Sequence, residues 1–344
     1  MIEFTSHRNK APEDRMAAVL SQQTIPVIGF RPFLDGSDAG DAAGKARVAR
    51  EIARACEEVG FFYLADHGVA QAKIDAMFAA SKRFFNQPEE IKLDPSLRIT
   101  MERNRGYQPL KSRVYGNAGA PDLNEGFKYQ RELPADDPDV LAGDRVHGLN
   151  RWPHNLPQEW RQPLIDYFNE VESLGHKLLT GFALALDLPE TYFHAFYKKP
   201  LTQITLLHYP PQPPADPSDH YGIRPHTDET SFTILMQDET GGFQLRFRDK
   251  WIDATPIPGT FLINIGDWMA RWTNDRFAST MHRAYNRKGR ERYSAPYFAI
   301  PDYDAVVECL PTCHGPANPP KYPPQHVGDS IKKRFSSNWN KDKK

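Results

Sequence analysis

The stretch RPHTDETSFTILMQD, residues 224–238, decides how this chain is read. It sets two metal-ligand side chains, His226 and Asp228, one residue apart, just before an apolar strand. In extended backbone, alternate side chains share a face, so the pair can grip one ion. His-x-Asp alone is a weak signal, because any exposed turn can contain it. A third ligand must come from elsewhere, and His282, in Ser279-Thr280-Met281-His282-Arg283, is the candidate. Fifty-three residues separate it from Asp228, room for several strands to cross and return. The ordinary alternative for His282 is a hydrogen-bonded histidine inside a barrel. Two imidazoles and one carboxylate on one face of a metal leave other positions open. That set suits non-haem Fe(II) that must also hold a cosubstrate and dioxygen.

Around this centre the chain reads as short strands. Ile204–Tyr209, Ser231–Gln237, Phe243–Phe247, Trp251–Thr255, Thr260–Ile265, Thr280–Tyr285 and Tyr293–Ile300 recur at regular spacing, separated by Gly and Pro turns. Such a series predicts a barrel or double-sheet jelly roll. The proline-rich stretch from Pro210 to Asp219 is a loop. The first 200 residues differ. Val48, Ile52, Ala55 and Val59 repeat at helical spacing and stop at Gly60. Ile74, Met77, Phe78, Ser81 and Phe85 form a second helical stripe. Leu164, Tyr167, Phe168, Val171, Leu174, Leu178 and Phe182 form a third and longer one. Ile25–Phe30 and Phe61–Leu64 read as buried strands, Gly36–Gly44 as a small-residue loop, and Arg98–Asp144 as loops and short strands. Helices first and an antiparallel β core second is an α+β order. We expect one catalytic domain over 1–344: a helix-rich part with substrate-covering loops (1–200), a core (201–310) and a C-terminal segment (311–344), frayed at its Lys-rich end.

A second signal lies ten residues past His282, at Arg292-Tyr293-Ser294. Arg292 and Ser294 share a face by the same two-residue period. A guanidinium fork beside a hydroxyl is a good receptor for a carboxylate. An anion receptor one strand from the metal suggests a dicarboxylic cosubstrate spanning both, with Tyr209 a possible third donor. The alternatives are a surface arginine paired with Glu291 and a packed core tyrosine.

The remaining composition is ordinary for a globular protein, 40% hydrophobic and 25% charged. A net charge of −1 gives no bulk attraction to nucleic acid or an anionic membrane. Met1–Met16 carries both charge signs and no apolar core, unlike a secretory signal, and no run is long enough to span a bilayer. Cys56, Cys309 and Cys313 read as reduced thiols of a cytoplasmic protein. Cys309-x3-Cys313-His314 supplies only one side of a metal cluster.

These residues carry a resemblance. The chain resembles the Fe(II)/2-oxoglutarate-dependent dioxygenase superfamily, in the branch containing isopenicillin N synthase. The likeness runs through IPVIGF, GFFYLADHGV, SKRFFNQP and NRGYQPL in the first half. In the second half it runs through LLHYP, RPHTDETSFTILMQD, GGFQLRF, WIDATPIPGTFLINIGD, STMHRAY and RYSAPYF. It implies a distorted double-stranded β-helix (jelly-roll) core flanked by N-terminal helices. It also implies iron on His226, Asp228 and His282, and 2-oxoglutarate on Arg292 and Ser294 with Tyr209 touching it. The implied reaction uses O2 to hydroxylate or desaturate a small molecule, with succinate and CO2 as coproducts. Two positions depart from many relatives: Leu207 stands where an asparagine is common, and Gly29 where an acidic residue is.

For the substrate, Tyr107, Phe127, Lys128, Phe247, Trp268 and Arg271 are candidate contacts, each also explicable as packing or surface. Other functions stay open at this point. They are an iron oxidase of the same fold that uses no 2-oxoglutarate, a zinc hydrolase on the same ligands, and a non-enzymatic jelly-roll binding protein. Nothing in the sequence fixes the substrate or the oligomeric state.

Overall fold

Strand alternation divides the structure into layers. The computed structural model describes residues 25–34, 41–100, 104–112, 121–144, 146–212 and 221–339. Met1–Met16, residues 36–40 of the stretch read as a Gly36–Gly44 loop (whose last three residues are helical), most of the Pro210–Asp219 loop and the last five residues lie outside these. Twelve strands build two facing sheets: β1 (Val27–Gly29), β2 (Phe61–Ala65), β3 (Gly106–Gln108), β4 (Glu125–Gln130), β5 (Gln203–Tyr209), β6 (Ile223–His226), β7 (Phe232–Gln237), β8 (Phe243–Phe247), β9 (Lys250–Asp253), β10 (Phe261–Ile265), β11 (His282–Ala284) and β12 (Arg292–Ala299). The larger sheet runs β1-β2-β10-β7-β12-β5-β4-β3 and the smaller β6-β11-β8-β9. Four strands of the larger sheet, β10-β7-β12-β5, face the four of the smaller one, giving the jelly-roll core of an α+β protein. All pairings are antiparallel except β1 with β2, which run parallel.

The larger sheet is covered on both faces, which is why its strands read as near-continuous apolar runs. On the outer face, Phe127, Ile204, Leu206, Ile234, Ile263 and Tyr297 join the main core. There they meet three helices, α1 (Ala42–Glu58), α2 (Gln71–Phe85) and α3 (Gln158–Ala185). Each helix is amphipathic where the sequence spacing predicts it; in α3, Leu164, Tyr167, Phe168, Val171, Leu174, Leu178 and Phe182 are all buried. The Asp41 carboxylate caps α1 by accepting from the Gly44 amide at 2.8 Å. Gly60, at φ +74°, ends it, and a β-carbon there would lie 2.1 Å from the Ala278 carbonyl oxygen. On the inner face, Tyr63, Leu235 and Leu262 pack with Phe243 and Leu245 of the smaller sheet. Leu207 and Tyr209 pack with Ile223 and Ala284.

Among the elements with no counterpart in the sequence analysis are β6, the helix α4 (Asp267–Trp272) that follows β10, and a C-terminal helix α5 (Val327–Trp339). No helix among the described residues is long and apolar enough to cross a membrane. The three cysteines are free thiols.

A polar knot ties β4 to β5 on the helix side. Glu125, 4% exposed, accepts from Lys92 Nζ (2.8 Å), from the Tyr107 hydroxyl (2.6 Å) and from His208 Nδ1 (2.8 Å). Burial pushes the Glu125 carboxyl up, but the His208, Lys92 and Tyr107 donors outweigh it and hold it below its ordinary value. A depressed carboxyl contributes stability that is complete above its unfolded pKa and lost as pH falls through the folded one. Glu125→Gln is therefore expected to cost about 3–5 kcal/mol at neutral pH, the usual penalty for breaking a buried ion pair. The gap in unfolding midpoint between wild type and variant should close as pH drops below the ordinary glutamate range. A gap that stayed constant with pH would show that charge at Glu125 is not what matters.

Candidate metal and cosubstrate site

The space between the sheets is a cavity lined by inward-facing residues of both. From the larger sheet come Leu207, Tyr209, Thr233, Leu235, Asn264, Arg292, Ser294, Pro296 and Phe298; from the smaller side come Ile223, His226, Phe243, His282 and Ala284, with Asp228 just beyond β6. The positions 292, 294, 296 and 298 show the two-residue period of β12 directly.

Strand pairing closes the long sequence gap at one end of this cavity. His226, the last residue of β6, is the register partner of His282 on β11. Asp228 follows in the turn, with its Oδ1 3.6 Å from Nε2 of each histidine. Among the described residues these three are the one group of His, Cys, Asp and Glu side chains whose ligating atoms converge, all within 4.8 Å of one another. Cys309, Cys313 and His314 do not form such a group.

Hydrogen bonds behind the three residues aim them. His226 Nδ1 lies 2.7 Å from the Arg224 carbonyl oxygen, and His282 Nδ1 lies 3.0 Å from that of Thr280. Each Nδ1–H thus donates to the backbone two residues back, and each Nε2 lone pair faces the cavity. Asp228 Oδ2 accepts from Thr233 Oγ1 (2.7 Å) and Asn264 Nδ2 (2.9 Å), which leaves Oδ1 turned to the histidines. The His282 ring is held between Phe243, nearly parallel at 5.3 Å, and the Phe61 edge at 5.7 Å. Burial alone would raise the Asp228 carboxyl, but His282, then His226 and Asn264, pull it well below the usual carboxylate range. Burial lowers the His282 imidazole, and the Asp228 charge beside it more than reverses that. At 3.6 Å these contacts are too long for hydrogen bonds. Two neutral imidazole lone pairs and a carboxylate oxygen facing one another are three acceptors without a donor. A divalent cation satisfies all three, so the donor set fits Fe(II).

The turn that carries Asp228 is clamped to the start of α4. The amides of Gly266, Asp267 and Trp268 donate to the carbonyls of Ser231 (3.0 Å), Asp228 (2.8 Å) and Thr230 (3.0 Å). The Asp267 carboxylate accepts from the hydroxyls of Ser279 (2.6 Å) and Thr227 (3.2 Å). A β-carbon on Gly266 would sit 2.2 Å from the Thr230 carbonyl oxygen, a backbone atom that cannot swing away. Gly266→Ala is expected to cost about 1–3 kcal/mol by overpacking and to weaken Fe(II) binding at least tenfold by displacing Asp228. Thermal melts and metal titration read the two effects; an unchanged midpoint would mean that the turn has room to yield.

At the other end of the cavity the structure brings Arg292, Ser294 and Tyr209 together. Arg292 pairs in register with Tyr209 and is completely buried. Its Nε donates to the Gly241 carbonyl (2.6 Å), Nη1 to Ser294 Oγ (3.2 Å) and Nη2 to Gln237 Oε1 (3.4 Å), and the guanidinium lies 4.6 Å from the Tyr209 ring centre. Burial raises the Tyr209 hydroxyl pKa, partly offset by the Arg292 charge and by Ser294, so it remains a donor. Leu207 is the register partner of Ser294 and presents hydrocarbon to the cavity.

None of the six expected substrate contacts lines this cavity. Phe127 is fully buried on the helix side, against Phe84, Trp152 and Trp160. Tyr107 is buried with its hydroxyl on Glu125. Phe247 packs at the edge of the smaller core beneath Arg248. Trp268 and Arg271 line a separate surface pocket with Tyr322, whose ring lies 4.9 Å from the Arg271 guanidinium. Lys128 is the exception in direction: it lies on the cavity side of β4, with Nζ 3.3 Å from Asn104 Oδ1. Thr233, Asn264, Gln237 and Asp267, which orient the groups above, were not singled out in the sequence. Asn264 and Asp267 stand in the same motif, NIGD, and only the fold shows which way each points.

A jelly roll with two histidines and an aspartate converging between its sheets, and a buried arginine at the far end, defines a class: the non-haem iron oxygenases. Comparison with known proteins agrees. Residues 25–155 match the family model for the non-haem dioxygenase in morphine synthesis N-terminal region, and residues 201–301 match that of the 2OG-Fe(II) oxygenase superfamily. The 2-oxoglutarate-Fe(II) type oxidoreductase hxnY of Emericella nidulans is 35% identical over 321 residues, covering 91% of this chain and 90% of that protein. A 2-oxoglutarate-Fe(II) type oxidoreductase of Aspergillus fumigatus is 31% identical over 90% of this chain and 91% of its own length. Among solved structures, full-length Neurospora crassa T7H in complex with alpha-KG and thymine superposes with a TM-score of 0.80 at 28% identity, covering 92% of this chain and 97% of that one. The chain belongs to the 2-oxoglutarate-Fe(II) oxygenase superfamily. It is an Fe(II)- and 2-oxoglutarate-dependent dioxygenase acting with O2 on a small molecule.

Proposed function

We propose that His226, Asp228 and His282 hold the Fe(II), and that Arg292, Ser294 and Tyr209 hold the distal carboxylate of 2-oxoglutarate. The observation that carries this is one cavity with three converging metal-ligand atoms at one end and a buried guanidinium at the other. When bound, the iron and 2-oxoglutarate supply the oxidising chemistry, and 2-oxoglutarate leaves as succinate and CO2. The protein contributes orientation and dryness. Arg292 is pinned by the Gly241 carbonyl, Ser294 and Gln237 before any ligand arrives, so little reorganisation is needed to accept a carboxylate. Leu207, Ile223, Leu235, Phe243 and Pro296 wall the space between the two ends with hydrocarbon and exclude water. No protein acid or base is assigned beyond the ligands.

The outcome for the substrate is hydroxylation or desaturation. The whole chain acts as one catalytic domain, its 201–310 region carrying the core and the N-terminal part covering the site. We place it in the cytoplasm, in keeping with three free thiols, and expect neither nucleic acid nor membrane as partner, given a net charge of −1. The test is an anaerobic titration of purified protein with Fe(II) and then 2-oxoglutarate, reading the visible charge-transfer band, followed by succinate yield in air with a metabolite panel. A band at one equivalent of each supports the assignment. Iron binding without any response to 2-oxoglutarate would favour an oxidase of the same fold that does not use it.

A further inference from the structure

The sheet that forms one wall of the cavity continues sideways from β12 across β5 to β4, past the residues that line the cavity, and there its chemistry changes. Directly opposed residues of antiparallel strands project to one face. Gly126, Lys128 and Gln130 of β4 oppose Leu207, Thr205 and Gln203 of β5. Leu207 lines the cavity, so Lys128, Thr205 and Gln203 look the same way. Gln203 is level with the metal end, since Phe298 on β12 is its register partner on one side and that of Thr233 on the other; Lys128 and Thr205 lie two residues further along. Thr233 is the residue that donates to Asp228.

These side chains form one polar patch beside the apolar Leu207 and Pro296 of the cavity wall. Lys128 Nζ donates to Asn104 Oδ1 (3.3 Å), and Asn104 Nδ2 donates to Gln203 Oε1 (2.8 Å). Between them Thr205 is 4% exposed, and its buried hydroxyl has no hydrogen-bond partner among the described residues. An orphan buried hydroxyl costs about 1–3 kcal/mol, which a ligand acceptor would recover.

We propose that this patch reads the substrate, that it takes a carboxylate, and that the substrate is a small organic acid. Lys128 and the Thr205 hydroxyl supply the donors, and the Asn104–Gln203 amide chain holds Lys128 in place. This inference rests on the iron and 2-oxoglutarate assignment above.

The test uses oxygen-free protein loaded with Fe(II) and 2-oxoglutarate, titrated calorimetrically with benzoate, cinnamate and 2-naphthoate and with their primary amides. At least one acid is expected to bind tenfold or more tightly than its amide. Lys128→Met should reduce that preference to threefold or less while the charge-transfer band of the loaded protein is unchanged. Thr205→Val, a near-isosteric change, should weaken the acid several-fold and leave the amide alone, and it carries the test if Lys128→Met disturbs loading. Equal binding of acids and amides, no binding by any acid, or a preference that survives both variants would overturn the proposal. Failure of wild type to load Fe(II) and 2-oxoglutarate would strike the underlying assignment instead.

Discussion

His226→Ala is expected to abolish turnover and to lower Fe(II) affinity by more than about 100-fold, while leaving the fold intact. Loss of a hydrogen bond that merely supports a metal ligand typically costs 10–100-fold in affinity, and loss of one of three ligands must cost more. The fold survives for local reasons. His226 ends β6 beside a turn that is fastened by the amides of α4, and those bonds are backbone to backbone. Its side chain is partly exposed and its ring contact is with His282 at 4.4 Å. In the metal-free protein the substitution leaves the Thr233 and Asn264 hydrogen bonds to Asp228 in place, so the unfolding midpoint should change little. Asp228→Ala is the sharper contrast. Thr233 and Asn264 would lose their acceptor inside a buried site, at about 1–3 kcal/mol for each stranded group. Metal analysis after anaerobic loading, together with a thermal melt, separates the two. Stoichiometric, tight Fe(II) in His226→Ala would remove that residue from the metal site.

The sequence yields this site unevenly, and the reason is periodicity. Residues that repeat along one element are legible, as in the α3 stripe from Leu164 to Phe182 and the pair Arg292/Ser294; the pair His226/Asp228 is legible too, although β6 ends at His226 and Asp228 stands in the turn beyond it. The meeting of His282 with His226 depends on the register of β11 against β6, which local spacing cannot supply; the match to a family pattern supplied it. Facing is the harder problem. Phe127 and Lys128 look equally plausible as substrate contacts, yet one step along β4 turns Phe127 into the helix core and Lys128 toward the cavity. Strands covered on both sides carry no polar alternation to reveal which face is which. Short elements also escape. The six-residue α4 has too few turns to show a stripe, although the amides of Gly266, just before it, and of its first two residues, Asp267 and Trp268, set the position of the metal turn.

Arg292→Ala is expected to raise the 2-oxoglutarate requirement by about 30-fold to several thousand-fold, the range that corresponds to truncating one partner of a buried, hydrogen-bonded charge pair at 2–5 kcal/mol. Electrostatics favours the upper part of that range, because the guanidinium is fully buried. The loss is specific to the cosubstrate. Fe(II) binding at the other end should be unaffected, since no hydrogen bond links Arg292 to His226, Asp228 or His282 among the described residues. Arg292→Lys distinguishes charge from shape. A lysine keeps the positive charge but has no planar fork, cannot reach the Gly241 carbonyl, Ser294 and Gln237 together, and should recover only part of the affinity. Saturating 2-oxoglutarate should restore most of the succinate yield in both variants, because the residue acts on binding and not on the oxidising step. An unchanged apparent affinity in Arg292→Ala would mean that the cosubstrate carboxylate is anchored elsewhere, and a collapse of yield that saturation cannot rescue would mean that Arg292 holds the cavity open.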